Sequence, residues 1–441
     1  MIWIYLTAYA AAFLCSNRGL NLPAAVILLA LAASLYFQEY RRTGHLLTLS
    51  GLFGLSFVGG QGISCLKLSY LQSPWSPVTW LCFALAWPCL QIGRQFCYPR
   101  LKHWGSRVLP TFAASRLFPV PDPDRLLKAD LALAGFSVLA FLAEAKILGF
   151  IPLFLRGVPH AYSEFHVSGL HYVTVSAVLC PAFSVLWLFC RRPGEGTGLP
   201  MAGALLAAAV GLILPILCVS RFQLAFALVL CLFTFIFLKS NEGAADRKML
   251  ARTAGLMLAL LVPAYLLLSV ARSHSAEYLN SVFEMRMDLP ILISHPYIYI
   301  ANNYDNFDCL VRELPAHSFG MKMLFPLWAL TGLKFLFPAL VNYHIYLRKA
   351  ELTTLTLLYD AYYDFGVPGV ALFCLLLGIG LQWLEEQSES SAAPGIAVLY
   401  CQMAIYMALA FFTTWFSNPT TWFYFAVTIL VLLFSSRRQK A

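Results

Sequence analysis

The chain has 441 residues, of which 60% are hydrophobic and only 12% are Asp, Glu, Lys or Arg, and its formal net charge is +9. So few charged residues cannot cover a water-soluble surface of this size, which excludes a soluble globular protein and indicates a polytopic membrane protein. No basic stripe is interleaved with aromatic residues on a soluble element, so we expect membrane lipids and no nucleic acid as partners.

Apolar stretches long enough to cross a bilayer recur along the whole chain. A hydrocarbon core of about 30 Å requires roughly 20 apolar residues in a helix. About twelve such stretches lie at roughly 1–16, 21–38, 45–66, 77–93, 129–148, 170–190, 200–219, 222–238, 253–270, 365–384, 396–416 and 420–436. We expect an all-α polytopic fold of about 12 transmembrane helices in three parts: helices in 1–270, a large external loop in 271–364, and helices with a basic tail in 365–441.

Basic residues indicate the orientation, because short loops rich in Lys and Arg resist translocation. With the N-terminus inside, five cytoplasmic segments hold 18 of the 30 basic residues. These segments are Arg41-Arg42, 94–128, Arg191-Arg192, 239–252 and 437–440. Both termini are therefore predicted to be cytoplasmic and two long loops, 149–169 and 271–364, to be external. The segment 94–128 is expected to be an irregular surface connection, and 385–394 a solvated turn.

Three further features of the sequence bear on the kind of membrane protein. The first apolar stretch lacks a preceding basic segment and a convincing cleavage site, so we expect a first span rather than a signal peptide. The 12 cysteines form no close pair or Cys/His cluster, which is typical of small buried residues rather than of a metal site or a disulfide framework. No repeat relates the two halves of the chain, and this disfavours a carrier that rocks about a central site.

The first external loop follows helix-breaking Gly and Pro residues just beyond the fifth predicted span. Its candidates for chemistry are Arg156, His160, Glu164 and His166. A guanidinium suits bidentate contact with phosphate, so Arg156 is a candidate anion-binding residue. His160 and Glu164 are four residues apart and share a face of a short helix, where a surface pair is the simpler interpretation.

Ser220 and Arg221 lie between two spans that would otherwise form a hairpin in lipid. An arginine facing acyl chains costs a few kcal/mol, so it is retained either for binding or because it extends to the interface. Both interpretations stay open from the sequence.

The large loop, Ala271 to Asp364, is crowded with ionisable residues. Its candidates are Arg272, His274, Asp305, Arg312 and His317. Binding an anionic substrate explains such arginines, whereas long loops that translocate whatever their charge explain Lys334, Arg348 and Lys349 equally well. Within the loop, 323–341 is predicted to be amphipathic and to cross, dip into or lie on the membrane.

The loop ends in YDAYYDFGVPG, where Asp360 and Asp364 would share one face of a helix. Acids at a helix start also complement its dipole, which is the simpler interpretation. Four aromatic residues of the large loop suit stacking on sugar rings, although an interfacial aromatic belt explains most Tyr and Trp in membrane proteins: Tyr297, Tyr299, Tyr304 and Trp328.

These segments, taken in order, resemble the bacterial O-antigen and oligosaccharide repeat-unit polymerases. The resemblance covers most of residues 140–385. Its elements are Ile-Pro-Leu-Phe after a span, Ala161 to Tyr172, Ser220-Arg221, YIYIANNYDNFD with HSFGMKMLFPL, and Thr356, Tyr359 and YYDFGVPG. The chain departs from such polymerases at Tyr162, where they often carry an arginine, and Arg156 is a candidate to supply that charge.

The resemblance implies a metal-independent, inverting glycosyltransferase with a GT-C-like helical bundle and short helices in the external loop. It would act without a cofactor at the outer face of the inner membrane, on undecaprenyl-diphosphate-linked oligosaccharides, with a chain-length-regulating copolymerase as a possible partner. Arginines would stabilise the departing lipid diphosphate: Arg156, Arg221, Arg272 and Arg312. The candidate general bases are His160, Glu164, His166, His274, Asp305, His317 and Asp364. The candidate sugar contacts are Tyr162, Tyr304, Tyr359 and Tyr363.

Other functional classes would differ from a polymerase in their reaction or in their sequence features. An O-antigen ligase uses the same donor but transfers the glycan to a lipid A core or a protein. A flippase or exporter should carry charged residues deep within its spans, and the predicted spans are nearly free of charge apart from Glu144 and Lys146. A nucleotide-sugar enzyme is disfavoured, because the Asp122-Pro-Asp124 motif lies on the predicted cytoplasmic side. A purely structural partner leaves the external arginines unexplained.

Overall fold

A computed structural model describes residues 2–108, 118–155, 161–191, 198–241, 252, 255, 276–341, 343–389 and 393–436. Throughout these residues the secondary structure is helical. The only β-type contacts in the described part of the chain are two isolated bridges, Ser69 with Met285 and Pro121 with Ser436. The predicted all-α class is therefore confirmed.

The helices follow the apolar periodicity of the sequence. In chain order they are α1 (Ile2–Asn17), α2 (Asn21–Thr43), α3 (Leu49–Phe53), α4 (Gly59–Ser64), α5 (Pro77–Ile92), α6 (Tyr98–Val108), α7 (Pro123–Leu148), α8 (Ala161–Glu164), α9 (Leu170–Val175), α10 (Cys180–Cys190), α11 (Leu199–Leu217), α12 (Arg221–Asn241), α13 (Ala276–Phe283), α14 (Ile291–Glu313), α15 (Phe325–Leu330), α16 (Leu333–Leu336), α17 (Tyr359–Ser388), α18 (Ala393–Ala408) and α19 (Pro419–Ser435). Short 3-10 turns are Pro152–Phe154, Ser176–Leu179, Pro338–Leu340 and Trp415–Ser417. The π-helical segments Gly54–Val58 and Gly93–Cys97 join α3 to α4 and α5 to α6.

Among the described residues, six helices are long and apolar enough to cross a membrane. They are α2, α7, Leu170–Cys190, α11, α12 and α17. Three further apolar helices, α1, α18 and α19, are shorter. The predicted ninth span, 253–270, lies outside the described residues, and the count of twelve stays a prediction. The helices are those expected of a polytopic membrane protein.

The chain divides into two compact units. Unit 1 comprises Met1–Ser115, Ser275–Glu385 and Tyr406–Thr421. Unit 2 comprises Arg116–His274, Glu386–Ile405 and Trp422–Ala441. Each unit therefore combines segments that are far apart in the sequence.

Unit 1 contains most of the predicted external loop, and its main element there is longer than the expected short helices. Helix α14 has 23 residues, which corresponds to about 34 Å. It is buried for most of its length and packs against α4 and α5. Its buried side chains include several Asn and Asp residues. Its sequence therefore lacks the apolar pattern by which membrane-spanning helices are recognised.

The segment 323–341 folds as short turns rather than as one amphipathic helix. Helix α15 has six residues and α16 has four. At 1.5 Å per residue neither exceeds about 9 Å, so neither can cross the hydrocarbon core. Of the alternatives left open by the sequence, a full crossing by a helix is excluded.

Two sequence expectations about charged residues in unit 1 are wrong. Arg94 was expected in a surface connection and Glu385 in a solvated turn, yet both are buried. Arg94 forms ion pairs with Glu385 and, at 3.3 Å, with Glu39. The partners lie far apart in the sequence, and no local pattern predicted their pairing.

Unit 2 is built mainly from α7 and α9–α12. Gly211 of α11 allows close helix packing, because a Cβ atom there would lie 2.5 Å from the Ala177 carbonyl oxygen. The Glu144 side chain is fully buried near the end of α7, where it accepts hydrogen bonds from the Val167 N–H at 3.1 Å and the Thr174 hydroxyl at 2.6 Å. This carboxylate joins the end of α7 to the segment before α9.

Candidate active site

Helix α14 places a run of polar side chains inside unit 1. The run comprises Asn302, Asn303, Asp305, Asn306 and Asp308, all of them buried. Asn306 donates hydrogen bonds to the carbonyl oxygens of Leu352 and Thr354, each at 2.9 Å, and accepts one from the Arg348 N–H at 2.9 Å. The amide side chains thus hold the segment before α17 against α14.

Asp305 is the centre of a saturated network. Its carboxylate accepts from the Lys67 ammonium at 2.8 Å, the Trp75 indole at 2.9 Å and the Gln72 amide at 3.0 Å. The Lys67 ammonium also lies 4.0 Å from the centre of the Trp75 ring. Asp305 was a candidate general base, but a fully buried carboxylate with these partners has a structural role in this geometry.

Asp308 brings two arginines together at the C-terminal end of α14. Its Oδ2 atom accepts from Arg312 Nε at 2.7 Å and from an Arg348 terminal nitrogen at 3.0 Å. Its Oδ1 atom accepts from the Ser76 N–H at 2.7 Å and the Thr79 hydroxyl at 2.8 Å. We call Arg312 and Arg348, held on this one carboxylate, the arginine pair.

The arginine pair keeps an unused donor. The single Asp308 carboxylate accepts from both guanidiniums. Arg348 Nε is buried and has no hydrogen-bond partner among the described residues. The Arg312 side chain is 46% exposed and that of Arg348 is 22% exposed. Two fixed, accessible guanidiniums suit a diphosphate.

Asp364 anchors the loop that precedes α15. Its Oδ1 atom accepts from the Ser318 hydroxyl and from the Lys322 N–H at 3.1 Å, and its Oδ2 atom accepts from the Met323 N–H at 2.8 Å. The loop is tightly turned, since Phe319 has a φ of 51°, which is unusual for a residue other than glycine. Asp364 was a candidate general base, and its three hydrogen bonds favour a structural role instead.

His317 lies at the exposed edge of the same loop and is a candidate base that the structure leaves available. Its Nδ1 atom is 3.2 Å from the Tyr363 carbonyl oxygen. A carbonyl only accepts, so Nδ1 is the donor of this hydrogen bond. The imidazole packs against Gly366, where a Cβ atom would lie only 2.9 Å from His317 Nε2. Gly366 also has a φ of 63°, a backbone conformation that favours glycine.

Lys322 and Asp360 face each other a short distance from Asp364. Lys322 Nζ lies 3.9 Å from Asp360 Oδ1. The ammonium is also 4.1 Å from the centre of the Tyr343 ring and 5.1 Å from that of Tyr363. Burial lowers the pKa of Lys322, while the charges of Asp360 and Asp364 oppose that shift. Burial together with the same two carboxylates raises the pKa of Tyr343.

A short segment of backbone connects the Lys322 region to the arginine pair. The Tyr343 hydroxyl donates to the Met321 carbonyl at 3.3 Å, and the Tyr346 N–H donates to the Tyr359 hydroxyl at 2.8 Å. Arg348 is five positions after Tyr343, so their Cα atoms are at most about 18 Å apart. Both polar groups thus belong to one region of unit 1.

The tyrosines predicted to contact sugar are mostly internal. Tyr304 is fully buried and its hydroxyl donates to the Phe57 carbonyl at 2.5 Å. Tyr359 is also fully buried and donates to the Tyr346 carbonyl at 3.1 Å. Tyr363 is buried beside Lys322. None of the three offers an open ring face, and their contact with sugar stays a prediction.

The other predicted site residues belong to unit 2 or lie outside the described residues. Glu164 and His166 are exposed, and the His166 ring packs on His171, which lies 3.2 Å from a Glu144 carboxylate oxygen. Arg221 is partly buried and begins α12. Arg156, His160, Arg272 and His274 lie outside the described residues, as does the side chain of Tyr162.

Arg312, His317 and Asp364 were candidates from the sequence, whereas their neighbours Asp308 and Lys322 were not. The sequence left the role of Arg348 open. Across the described ranges, no three His, Cys, Asp or Glu side chains come together as metal ligands would. Comparison of the chain with protein-family models, with curated proteins and with solved structures found no match.

Proposed function

We propose that the protein is a glycosyltransferase that polymerises undecaprenyl-diphosphate-linked oligosaccharide repeat units at the outer face of a bacterial inner membrane. The observation that carries the proposal is the arginine pair on Asp308. The reaction moves a glycan from one lipid diphosphate to the next lipid-linked unit, so its central electrostatic problem is the negative charge of the departing diphosphate. A membrane protein suits a substrate whose carrier is a lipid.

The arginine pair fits that charge in three respects. Its guanidiniums are fixed by a common carboxylate oxygen, so little reorganisation is needed when charge develops. Arg312 is further held by the Pro74 carbonyl at 2.8 Å and Arg348 by the Ser73 hydroxyl at 2.8 Å. Both keep N–H groups that can each address a phosphoryl oxygen.

The test is extension of lipid-linked repeat units by purified protein, with the products resolved by gel. We expect a ladder of lengths from the unchanged protein. Arg312→Gln and Arg348→Gln should each reduce turnover about 10²-fold or more, the loss typical of removing one donor to a developing anion. Arg286→Gln is the matched control, since Arg286 is an exposed arginine of the same loop that binds the Ser69 carbonyl.

Three results would contradict the proposal in different ways. A single transfer to a lipid A core or protein would indicate a ligase. No extension, together with transport of the same molecules across proteoliposomes, would indicate a flippase. A ladder that Arg312→Gln and Arg348→Gln leave intact would place the diphosphate site elsewhere, and Arg156→Ala, Arg221→Ala and Arg272→Ala would then locate it.

A further inference from the structure

Lys322 and Asp360 are a buried charged pair that stops short of contact. Their side chains are 9% and 7% exposed, and 3.9 Å between Nζ and Oδ1 is too long for a direct hydrogen bond. Asp360 Oδ1 is buried and has no hydrogen-bond partner among the described residues. Buried ionic groups rarely leave their hydrogen-bonding capacity unused.

Both groups are held at this separation by their own partners. The Asp364 carboxylate fixes the backbone of Lys322 and Met323. The Ser417 hydroxyl donates to Asp360 Oδ2 at 2.5 Å, which leaves Oδ1 directed toward the lysine. The rings of Tyr343 and Tyr363 confine the ammonium from the other sides. The spacing is therefore a property of the fold rather than of two mobile side chains.

The chemistry of the pair selects its ligand. An ammonium only donates hydrogen bonds and a carboxylate only accepts them. A group that satisfies both at once must accept one bond and donate one, and a hydroxyl oxygen about 2.8 Å from each atom does so. An anionic ligand is disfavoured, because one lysine already faces two carboxylates, Asp360 and Asp364. The arginine pair carries the opposite balance, with two cations on one carboxylate.

We infer that Lys322 and Asp360 bind the attacking hydroxyl of the acceptor sugar and that Asp360 is the general base of the transfer. The inference rests on the proposed function. Lys322 holds the hydroxyl oxygen. The oxygen forms a bond to the anomeric carbon of the donor, and the bond from that carbon to the diphosphate breaks. The diphosphate leaves with the electron pair, and the hydroxyl proton passes to Asp360 Oδ1 and then to water.

The test measures turnover, the KM for each substrate, the pH–rate profile and binding of the lipid diphosphate donor. Asp360→Asn should lower kcat about 10²-fold or more, since a positioned base contributes at least that much, with donor binding unchanged. Its folding should survive, because the asparagine carbonyl still accepts from Ser417. Lys334→Met, in α16 of the same loop, is the control for the lysine variants.

Lys322→Met supplies a readout that a merely structural residue would not move. Without the ammonium the acceptor hydroxyl loses one of its two hydrogen bonds, so the KM for the acceptor should rise about tenfold or more while donor binding stays unchanged. Lys322→Arg should restore the acceptor KM in large part. If Asp360→Asn does not fold, this rise in the acceptor KM decides the question by itself.

The outcomes separate this inference from the proposed function. If the unchanged protein makes no polymer, the proposed function fails and the acceptor assignment fails with it. If the protein polymerises and the arginine variants abolish the ladder, but Asp360→Asn keeps more than a tenth of the turnover, only the assignment of the base is overturned. An acceptor KM that Lys322→Met leaves unchanged would likewise overturn the role of the pair.

Discussion

Two aspartates one helical turn apart at the start of α17 have different partners and so different roles. Asp364 uses both oxygens to hold the loop around Lys322, whereas Asp360 uses only one and keeps the other toward the lysine. Their side chains are chemically identical, and only their hydrogen-bond partners distinguish the two carboxylates.

Asp364→Asn tests the anchor. One carboxylate oxygen becomes an amide that donates, and it would then face a backbone N–H of Lys322 or Met323, which also donates. We expect a loss of about 1–3 kcal/mol in stability, the cost of leaving a buried polar group unsatisfied. Thermal unfolding in detergent measures it. Asp360→Asn is the comparison, and an equal loss of stability in both variants would contradict the distinction between them.

At the scale of elements, unit 1 depends on a close approach of α17 to the end of α5. A Cβ atom at Gly93 would lie 2.1 Å from the Leu375 carbonyl oxygen, and one at Gly378 would lie 2.1 Å from the Leu90 carbonyl oxygen. The two glycines are reciprocal, since each removes the side chain that would push the other helix away. Small residues allow such backbone contact in membrane helices.

Gly378→Ala should separate these two helices. Overpacking of this kind costs about 1–3 kcal/mol, and the apparent Tm should fall. Gly380→Ala, two residues further along the same helix, meets nothing within 4 Å and gains up to about 1 kcal/mol of helix propensity. Unfolding of the two variants side by side provides the measurement. If the Gly378→Ala protein were as stable as the Gly380→Ala protein, the two helices would not be in close contact at Gly378.

The same elements are joined by a buried ion-pair network around Arg94. Arg94→Leu would leave Glu39 and Glu385 without their buried cation, and breaking such a pair costs about 3–5 kcal/mol. Arg42→Ala is the control, because Arg42 also pairs with Glu39, at 2.8 Å, but its side chain is 53% exposed; an exposed pair contributes about 1 kcal/mol or less. Thermal unfolding distinguishes them, and similar losses would argue against a buried network.

At the scale of the whole molecule, α17 connects the candidate site to the predicted cytoplasmic side. It contains a non-helical turn at Gly366, and the part after this turn, residues 367–388, is about 33 Å long, enough to cross a hydrocarbon core of about 30 Å. The start carries Asp360 and Asp364, and the other end carries the buried Glu385. This arrangement predicts that the loop before α15 and the turn after α17 lie on opposite sides of the membrane.

Single cysteines in a protein otherwise freed of its 12 native cysteines test that topology. Ala316→Cys in the loop should react with an impermeant maleimide in intact spheroplasts. Glu389→Cys, also at an exposed position, should react only after the membrane is permeabilised. Labelling of Glu389→Cys from outside would reverse the orientation of α17 and move the candidate site to the cytoplasmic side.

The local pattern of the sequence was sufficient to predict the class of the fold. Composition and hydropathy predicted an all-α membrane protein, because both depend on the number and spacing of apolar residues and not on their partners. The same reasoning selected the polar segment containing Arg312, His317 and Asp364. It missed α14 as a long helix, since polar residues on that helix are satisfied by other protein groups rather than by water.

The roles of the charged residues were decided only by the tertiary structure. Asp305 is paired with Lys67, Asp308 with Arg348, and Asp360 with Ser417, and each pair joins segments far apart in the sequence. A periodicity of 3.6 residues reports which side of a helix is apolar, but not which distant helix covers that side. Whether a carboxylate is saturated or can still accept a proton depends on those distant partners, so it follows from packing and not from local sequence.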